Sequence, residues 1–286
     1  MKHIFIINPT AGKQDSRQRI YDMAKELREK HELDVQCILT KKQGHATEIA
    51  RRLCEEGGEL RFYACGGDGT ANEVANGILG FDNAAMTMVP VGTGNDLLKN
   101  FGDDLEKFRD VENLWDGPVF PMDVIEVNGR YALTIACSGI DARVAADVHK
   151  YSESPLLDGK SSYIVSLLVN FLFKGIGSHW KVEMDGEEME GDWSLVSVCN
   201  GRYYGGGFMP VAEARMDDGV LNTLVVQKVT RRAFIRFVGP YSKGEYYKFP
   251  HLAQCYTPKV VRITSEKPDI VTCLDGETFQ GSEVTI

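Results

Sequence analysis

The sequence lacks paired cysteines, lacks a long apolar run and is short of basic residues, and each lack removes a class of protein. Its 32 Lys and Arg against 41 Asp and Glu leave a formal net charge of −9. This argues against nucleic acid as a general partner, because such binding rests on neutralising phosphates. Simple attachment of the whole chain to an anionic membrane is excluded for the same reason, so any lipid contact must be local. The seven Cys are odd in number and form no Cys-x-x-Cys pair, which indicates neither a disulfide framework nor a zinc site. They read as reduced, mostly buried thiols. The longest apolar stretch, Tyr163–Phe173, is interrupted by Ser166 and Asn170 and is far short of the roughly 20 residues of a spanning helix. Met1-Lys2-His3 and the run Ile4–Ile7 are too short for a signal peptide. The expectation is a soluble, cytoplasmic protein. Neither a Walker A loop nor a Gly-x-Gly-x-x-Gly fingerprint occurs, and there is no internal repeat or low-complexity tract.

What is present begins with an alternating pattern. With 286 residues, 43% of them hydrophobic, the chain has enough material for two globular domains. Ile4–Ile7 is a continuous apolar run of the kind buried on both faces of a sheet. Gln18–His31 places Ile20, Met23, Ala24 and Leu27 at helical spacing. Val35–Leu39, Leu60–Ala64 and Met86–Val89 read as further strands, and Ala46–Glu56 as a second helix. Strands alternating with helices at this spacing predict an α/β domain with a parallel sheet, whose ligands sit beyond the carboxyl ends of the strands.

Four segments fall at those ends: Asn8-Pro9-Thr10-Ala11-Gly12, Thr40, Gly66-Gly67-Asp68-Gly69-Thr70 and Gly92-Thr93-Gly94-Asn95-Asp96. Small, hydroxylic and glycine residues converging on one edge describe a nucleotide pocket. In the central turn, glycines let a ligand approach the peptide groups directly. Thr70-Ala71-Asn72-Glu73 fits a capping box, which would start the following helix at Thr70. Asp68 would repel a phosphate unless a divalent cation lay between them, so the turn suggests a nucleotide held with Mg2+.

After about residue 120 the pattern changes. Met122–Val127 and Tyr131–Ala136 flank Asn128-Gly129, and Trp180–Met184 and Glu187–Met189 flank Asp185-Gly186, both strong hairpin signals. Leu195–Cys199, Val220–Gln227, Val260–Thr264, Ile270–Leu274 and Glu283–Ile286 add short strands. The expected division is 1–120, a nucleotide-binding α/β domain, and 121–286, a mainly antiparallel β domain. At least two helices are expected in the second part, among them Ser161–Phe173 and one starting near Thr230.

Together the glycine segments resemble the catalytic domain of the diacylglycerol kinase family, which includes sphingosine, ceramide and bacterial lipid kinases. Gly-Gly-Asp-Gly-Thr is shared with NAD kinases, whereas Pro90-Val91-Gly92-Thr93-Gly94-Asn95-Asp96 is more specific to lipid kinases. Asp217-Asp218-Gly219 and Leu274-Asp275-Gly276-Glu277 look like two further family motifs. The resemblance implies ATP in a cleft between the domains, touching Asn8, Pro9, Thr10, Ala11, Gly12, Thr40, Gly66, Gly67, Asp68, Gly69, Thr70, Ala71, Asn72 and Thr93, with Gly94 and Asn95 beside it. Lys13 is expected to neutralise phosphate, and Asp68 to hold Mg2+ directly or through water, with Asp123 as a second candidate for the metal's water shell. Glu277 is the expected proton acceptor, tuned by burial. A structural Mg2+ site would use the Asp218 side chain and the carbonyls of Arg215 and Val220; an unmetallated turn is the equal alternative.

The expected activity is ATP- and Mg2+-dependent phosphorylation of a membrane lipid hydroxyl, diacylglycerol before phosphatidylglycerol or a sphingoid base. An NAD kinase-like enzyme and a nucleotide-sensing protein without turnover are the rivals. Membrane contact is expected to be transient and peripheral. Tyr163–Phe173, bracketed by Lys160 and Lys174, and Arg231–Phe249, with Arg231, Arg232, Phe234, Arg236, Phe237 and several tyrosines, are its candidate surfaces, although a core helix is the favoured reading of the first. The resemblance leaves a homodimer open.

Overall fold

Every residue from Ile4 to Ile7 is fully buried, so the first strand, β1 (Lys2–Ile7), is covered on both faces. Phe5 and Ile7 pack against Ile20, Ala24 and Leu27 of α1 (Arg17–His31), while Ile4 and Ile6 point to the opposite side of the pleat. The computed structural model describes residues 1–12, 15–91, 94–152 and 176–286, in two units, Met1–Pro121 and Met122–Ile286. Lys13, Gly92, Thr93 and the expected helix Ser161–Phe173 with its flanking lysines lie outside the described residues.

In the first unit β2 (Asp34–Leu39), α2 (His45–Glu56), β3 (Leu60–Gly66), α3 (Asp68–Ile78) and β4 (Ala84–Pro90) follow in turn. A short helix, α4 (Asp96–Lys99), comes next. The four strands form a parallel sheet in the order β2-β1-β3-β4, which is the architecture that the alternation predicted. The chain leaves β1 for β2 on one side and returns past it to β3 on the other. The crevice between the ends of β1 and β3 is therefore the topological switch point, where open α/β sheets bind ligands. On the flanking helices, a Cβ at Gly77 would lie 2.6 Å from the Ala50 Cβ, so glycine is what lets α3 approach α2 this closely. At the opposite edge of the sheet the Arg61 guanidinium donates to the carbonyls of Leu114, Trp115 and Gly117, tying the end of the unit to β3.

The second unit is mainly antiparallel, as expected. β5 (Ile125–Val127) and β6 (Arg130–Ala132) form a hairpin whose turn residues, Asn128 and Gly129, both have positive φ, as a two-residue type I′ turn requires. A nine-stranded sheet contains β7 (Ile135–Gly139), β8 (Ser178–Met184), β9 (Glu187–Cys199), β10 (Asn222–Gln227), β11 (Ala253–Tyr256), β12 (Val261–Thr264), β13 (Ile270–Leu274), β14 (Glu277–Gly281) and β15 (Glu283–Thr285). The segments Glu187–Met189 and Leu195–Cys199 are not two strands but the ends of β9. Its first half pairs with β8, and its second half lies between β7 and β10.

Neighbouring residues along these strands enter different cores. Ile135, Cys137, Leu195, Leu224 and Val226 pack with α5 (Ile140–Ser152) and α6 (Arg231–Tyr241). Ala136, Val196, Val198 and Val225 pack with Trp180, Val182, Ile263 and Val284 from other strands. Burial on both faces explains the unbroken apolar runs. Thr230 caps α6 by accepting the Ala233 N–H. One expectation for α6 changes. Phe234, Phe237 and Tyr241 belong to the core, so they offer nothing to a membrane. α5 is a further helix that the residues did not single out: it follows β7 directly, at Gly139 with φ +110°.

Candidate functional site

At the carboxyl edge of the first sheet, backbone bonds align the strand exits. The Asn8 N–H donates to the Cys65 carbonyl at 3.0 Å, Thr40 to Ile7 at 2.9 Å, and Val91 to Gly66 at 2.9 Å. Asn8 organises its own turn, its Oδ1 accepting from the Thr10 N–H and hydroxyl. Its Nδ2 donates across the switch point to the Thr70 Oγ1 at 3.2 Å. A Cβ on Gly66 would lie 2.2 Å from that Oγ1, and one on Gly12, at φ +82°, 2.6 Å from the Val91 carbonyl. Both glycines are thus required by close approach within the protein. Gly69 is different. It is exposed, lies in the first turn of α3, and a Cβ there would meet nothing within 4 Å.

Asp68 opens α3, so the helix starts two residues before Thr70 and the capping box is not formed. Glu73, expected to reach back to Thr70, instead caps α2: its carboxylate accepts the N–H groups of Gly44 at 2.9 Å and Ala46 at 3.1 Å. The reason is that the first amides of α2 need an acceptor and Gly44, its N-cap, has no side chain. Asp68 does the same for α4, accepting the Asp96 N–H on Oδ2 at 3.0 Å and the Leu97 N–H on Oδ1 at 2.9 Å. Asn95, the N-cap of α4, is left-handed at φ 50°. Gly94 sits where a Cβ would press on the Asp68 Oδ2 at 3.3 Å. Asp68 therefore joins two of the glycine segments and Asn8 joins a third. His45 accepts the Lys41 N–H on Nδ1 and braces the loop after Thr40. Sequence reasoning missed Arg19, which donates to the Pro90 carbonyl at 3.3 Å and brings a guanidinium to this edge; only its position on the first turns of α1 signalled that.

Mg2+ is ordinarily held by one or two carboxylates with substrate phosphates and waters, and a single aspartate at a phosphate-sized turn fits that pattern. Among the described residues no group of three or more His, Cys, Asp and Glu side chains converges as a protein-only metal cage.

In the second unit, Asp123 precedes β5 and is not in a strand. Its Oδ2 accepts the Gly219 N–H at 2.7 Å, and its own N–H donates to the Met216 carbonyl. The fold thus brings Asp123 onto the Asp217-Asp218-Gly219 loop. Within it the Asp218 Oδ1 accepts the Val220 N–H, and Arg215 pairs with Asp217, which lowers the Asp217 pKa by that hydrogen bond.

Asp275-Gly276 is a two-residue hairpin turn between β13 and β14, with φ of 45° and 100°. The Asp275 carboxylate accepts the N–H groups of Leu133, Thr134 and Ile135 and the Thr134 hydroxyl. These bonds break the expected strand Tyr131–Ala136 into β6 and β7. Glu277 begins β14 and pairs with Arg130. Its side chain is 41% exposed, so the buried setting expected for it is not found.

Comparisons with known proteins agree with this architecture. Residues 2–127 match the diacylglycerol kinase catalytic domain, and residues 134–285 match the YegS C-terminal NAD kinase beta sandwich-like domain. The chain is 28% identical over 276 residues to a protein of Bacillus subtilis strain 168 named diacylglycerol kinase, covering 95% of this chain and 88% of that protein. It is 27% identical over 246 residues to the diacylglycerol kinase of Staphylococcus carnosus, covering 86% and 79%. A crystal structure of a diacylglycerol kinase from Bacillus anthracis str. Sterne shares the fold with a TM-score of 0.69 at 21% identity, over 99% of this chain and 92% of that one. A second crystal structure from that strain gives 0.75 at 24%, over 99% and 93%. An amino-terminal kinase domain and a carboxy-terminal β sandwich, matched over nearly the whole chain, place this protein in the diacylglycerol kinase and YegS-like family of lipid kinases.

Proposed function

We propose that this lipid kinase transfers the γ-phosphoryl group of ATP to the hydroxyl of diacylglycerol, forming phosphatidic acid, with Mg2+ as cofactor. The observation that carries the reading is Gly69. Its Cβ position is open and its backbone is unstrained, and glycine is a poorer helix former than alanine. Among the described residues nothing explains that cost, whereas a phosphate lying against the amides at the start of α3 would.

Phosphoryl transfer needs positioning and charge neutralisation rather than covalent chemistry by the protein. The amides of Gly67–Gly69 would cradle phosphate oxygens, held in place by the Asn8 and Asp68 bonds. Lys13 and Arg19 would supply positive charge, and Asn8–Gly12, Thr40, Asn72, Thr93, Gly94 and Asn95 would line the nucleotide. Asp68 would hold Mg2+, which when bound would supply positive charge against that of the phosphates. Glu277 would take the proton of the acceptor hydroxyl, leaving Arg130 as the substrate arrives. Asp123 and Asp218 are assigned no step.

The test is transfer of labelled γ-phosphate from ATP and Mg2+ to diacylglycerol, phosphatidylglycerol, sphingosine and ceramide in mixed micelles, with NAD as a parallel acceptor. Label on diacylglycerol that disappears with Glu277→Gln is the expected result. Label on another lipid alone would move the acceptor within the family, and label on NAD alone would overturn the lipid reading.

A further inference from the structure

The fold sorts α6 into two faces. Phe234, Phe237 and Tyr241 are buried, which seats the helix on the core of the second unit. Arg232, Ile235, Arg236 and Gly239, at i, i+3, i+4 and i+7, share the outward face. Ile235 is 64% exposed between the two arginines.

Two features set this face apart from an ordinary solvated helix. The segment 228–244 carries Lys228, Arg231, Arg232, Arg236 and Lys243 and not one acidic residue, in a chain whose net charge is −9. Moreover, Arg232 occupies the first turn of α6, where the helix dipole favours acids and disfavours cations. Residues that break a local rule without a local gain point to a function outside the fold. Among the described residues, no ion pair engages Arg232 or Arg236. The 3-10 turn Tyr246–Lys248 packs near the helix through the Phe237 and Phe249 rings, 5.5 Å apart, and leaves Tyr247 63% exposed.

We infer that the Arg232–Ile235–Arg236 face of α6 docks on an anionic lipid bilayer. The guanidinium groups would meet lipid phosphates, Ile235 would enter the boundary between headgroups and acyl chains, and Tyr247 suits the interface through its amphipathic ring. Charge complementarity selects this occupant, and the exposed apolar side chain between the cations distinguishes it from nucleic acid. The purpose of docking rests on the lipid-kinase reading, but the binding itself does not. The deficit of positive charge elsewhere makes the patch local: it would turn one side of the second unit to the membrane while the remaining surface is repelled.

The experiment is sedimentation of the full chain with phosphatidylcholine vesicles, with and without phosphatidylglycerol, in the absence of nucleotide and diacylglycerol. Failure of docking and failure of catalysis are then read separately. Wild type should bind the anionic vesicles, weaken with salt and ignore the neutral ones. Each arginine contributes about fivefold to such binding, so Arg232→Gln with Arg236→Gln should weaken it about 25-fold. Ile235→Ser should weaken it several-fold while leaving the salt dependence in place. Arg52→Gln with Arg109→Gln, on the first unit, serves as the control and should bind as wild type does. Thermal unfolding confirms that each variant is folded. Unchanged binding of the Arg232/Arg236 variant, equal binding to neutral vesicles, or preferential binding to a DNA duplex would overturn the inference.

Discussion

The Asp68 carboxylate accepts the backbone N–H of Leu97 at 2.9 Å while its other oxygen accepts that of Asp96. One residue therefore holds the start of α4 against the start of α3, in addition to the metal role proposed for it. Hydrogen bonds to a charged acceptor contribute about 1.5–3 kcal/mol each when buried, and Asp68 is only partly buried. Asp68→Ala should accordingly lower stability by about 2 kcal/mol and abolish transfer. Asp68→Asn retains one acceptor oxygen and should recover at least half of the stability without recovering activity. Urea unfolding beside the kinase assay separates the two roles. Activity restored in step with stability would make Asp68 a purely structural clamp.

Glu73 gives a second test of how the pocket edge is held. Its carboxylate caps α2 through the amides of Gly44 and Ala46, and its own carbonyl accepts the Thr47 hydroxyl. Loss of a helix cap costs about 1–2 kcal/mol, so Glu73→Ala should destabilise the protein by that amount. The loop from Thr40 to Gly44 would lose its anchor, and the KM for ATP should rise with little change in kcat. A variant with wild-type stability would show that solvent replaces the cap.

Much of this was legible from residue order. The βα alternation, the Asn128-Gly129 and Asp185-Gly186 turns and the helix start at Thr230 rest on local preferences, which a single sequence carries. The clamps made by Asp68 and Glu73 were not legible, because each spans between 27 and 29 residues. Glu73 also stands where a local capping box explained it adequately. α5 escaped notice because it follows β7 with no loop between Gly139 and Ile140. The change of burial along β9 disguised its length, since its exposed first half and buried second half read as separate strands.

Asp275 and Glu277 lie two residues apart and should respond to substitution in opposite ways. Asp275 accepts four hydrogen bonds from residues 133–135 and fixes the start of β7. Asp275→Ala leaves those donors without a partner and should cost about 3 kcal/mol or more. Glu277 is half exposed, and its ion pair with Arg130 is of the kind that contributes at most about 1 kcal/mol. Glu277→Gln should therefore unfold within about 1 kcal/mol of wild type yet lose transfer. If both variants lost stability alike, Glu277 would be a structural residue and the base would have to be sought elsewhere.

Asp141 is buried in the first turn of α5, and its Oδ2 accepts hydrogen bonds from the hydroxyls of Tyr204 and Tyr241, each at 2.5 Å. Burial raises its pKa, and the two tyrosine bonds oppose that shift without cancelling it. A carboxyl whose pKa is raised on folding contributes stability that is fully present below its unfolded value, about 4, and that is lost as pH rises through the folded value. Asp141→Asn keeps an oxygen for both hydroxyls and removes the titration. Relative to wild type, the variant should gain stability steadily as pH rises from about 4 towards neutrality. Unfolding free energies of both proteins across that range test the sign. A gain on acidification instead would mean that the tyrosine bonds outweigh burial and that the carboxylate, not the acid, is the form this core prefers.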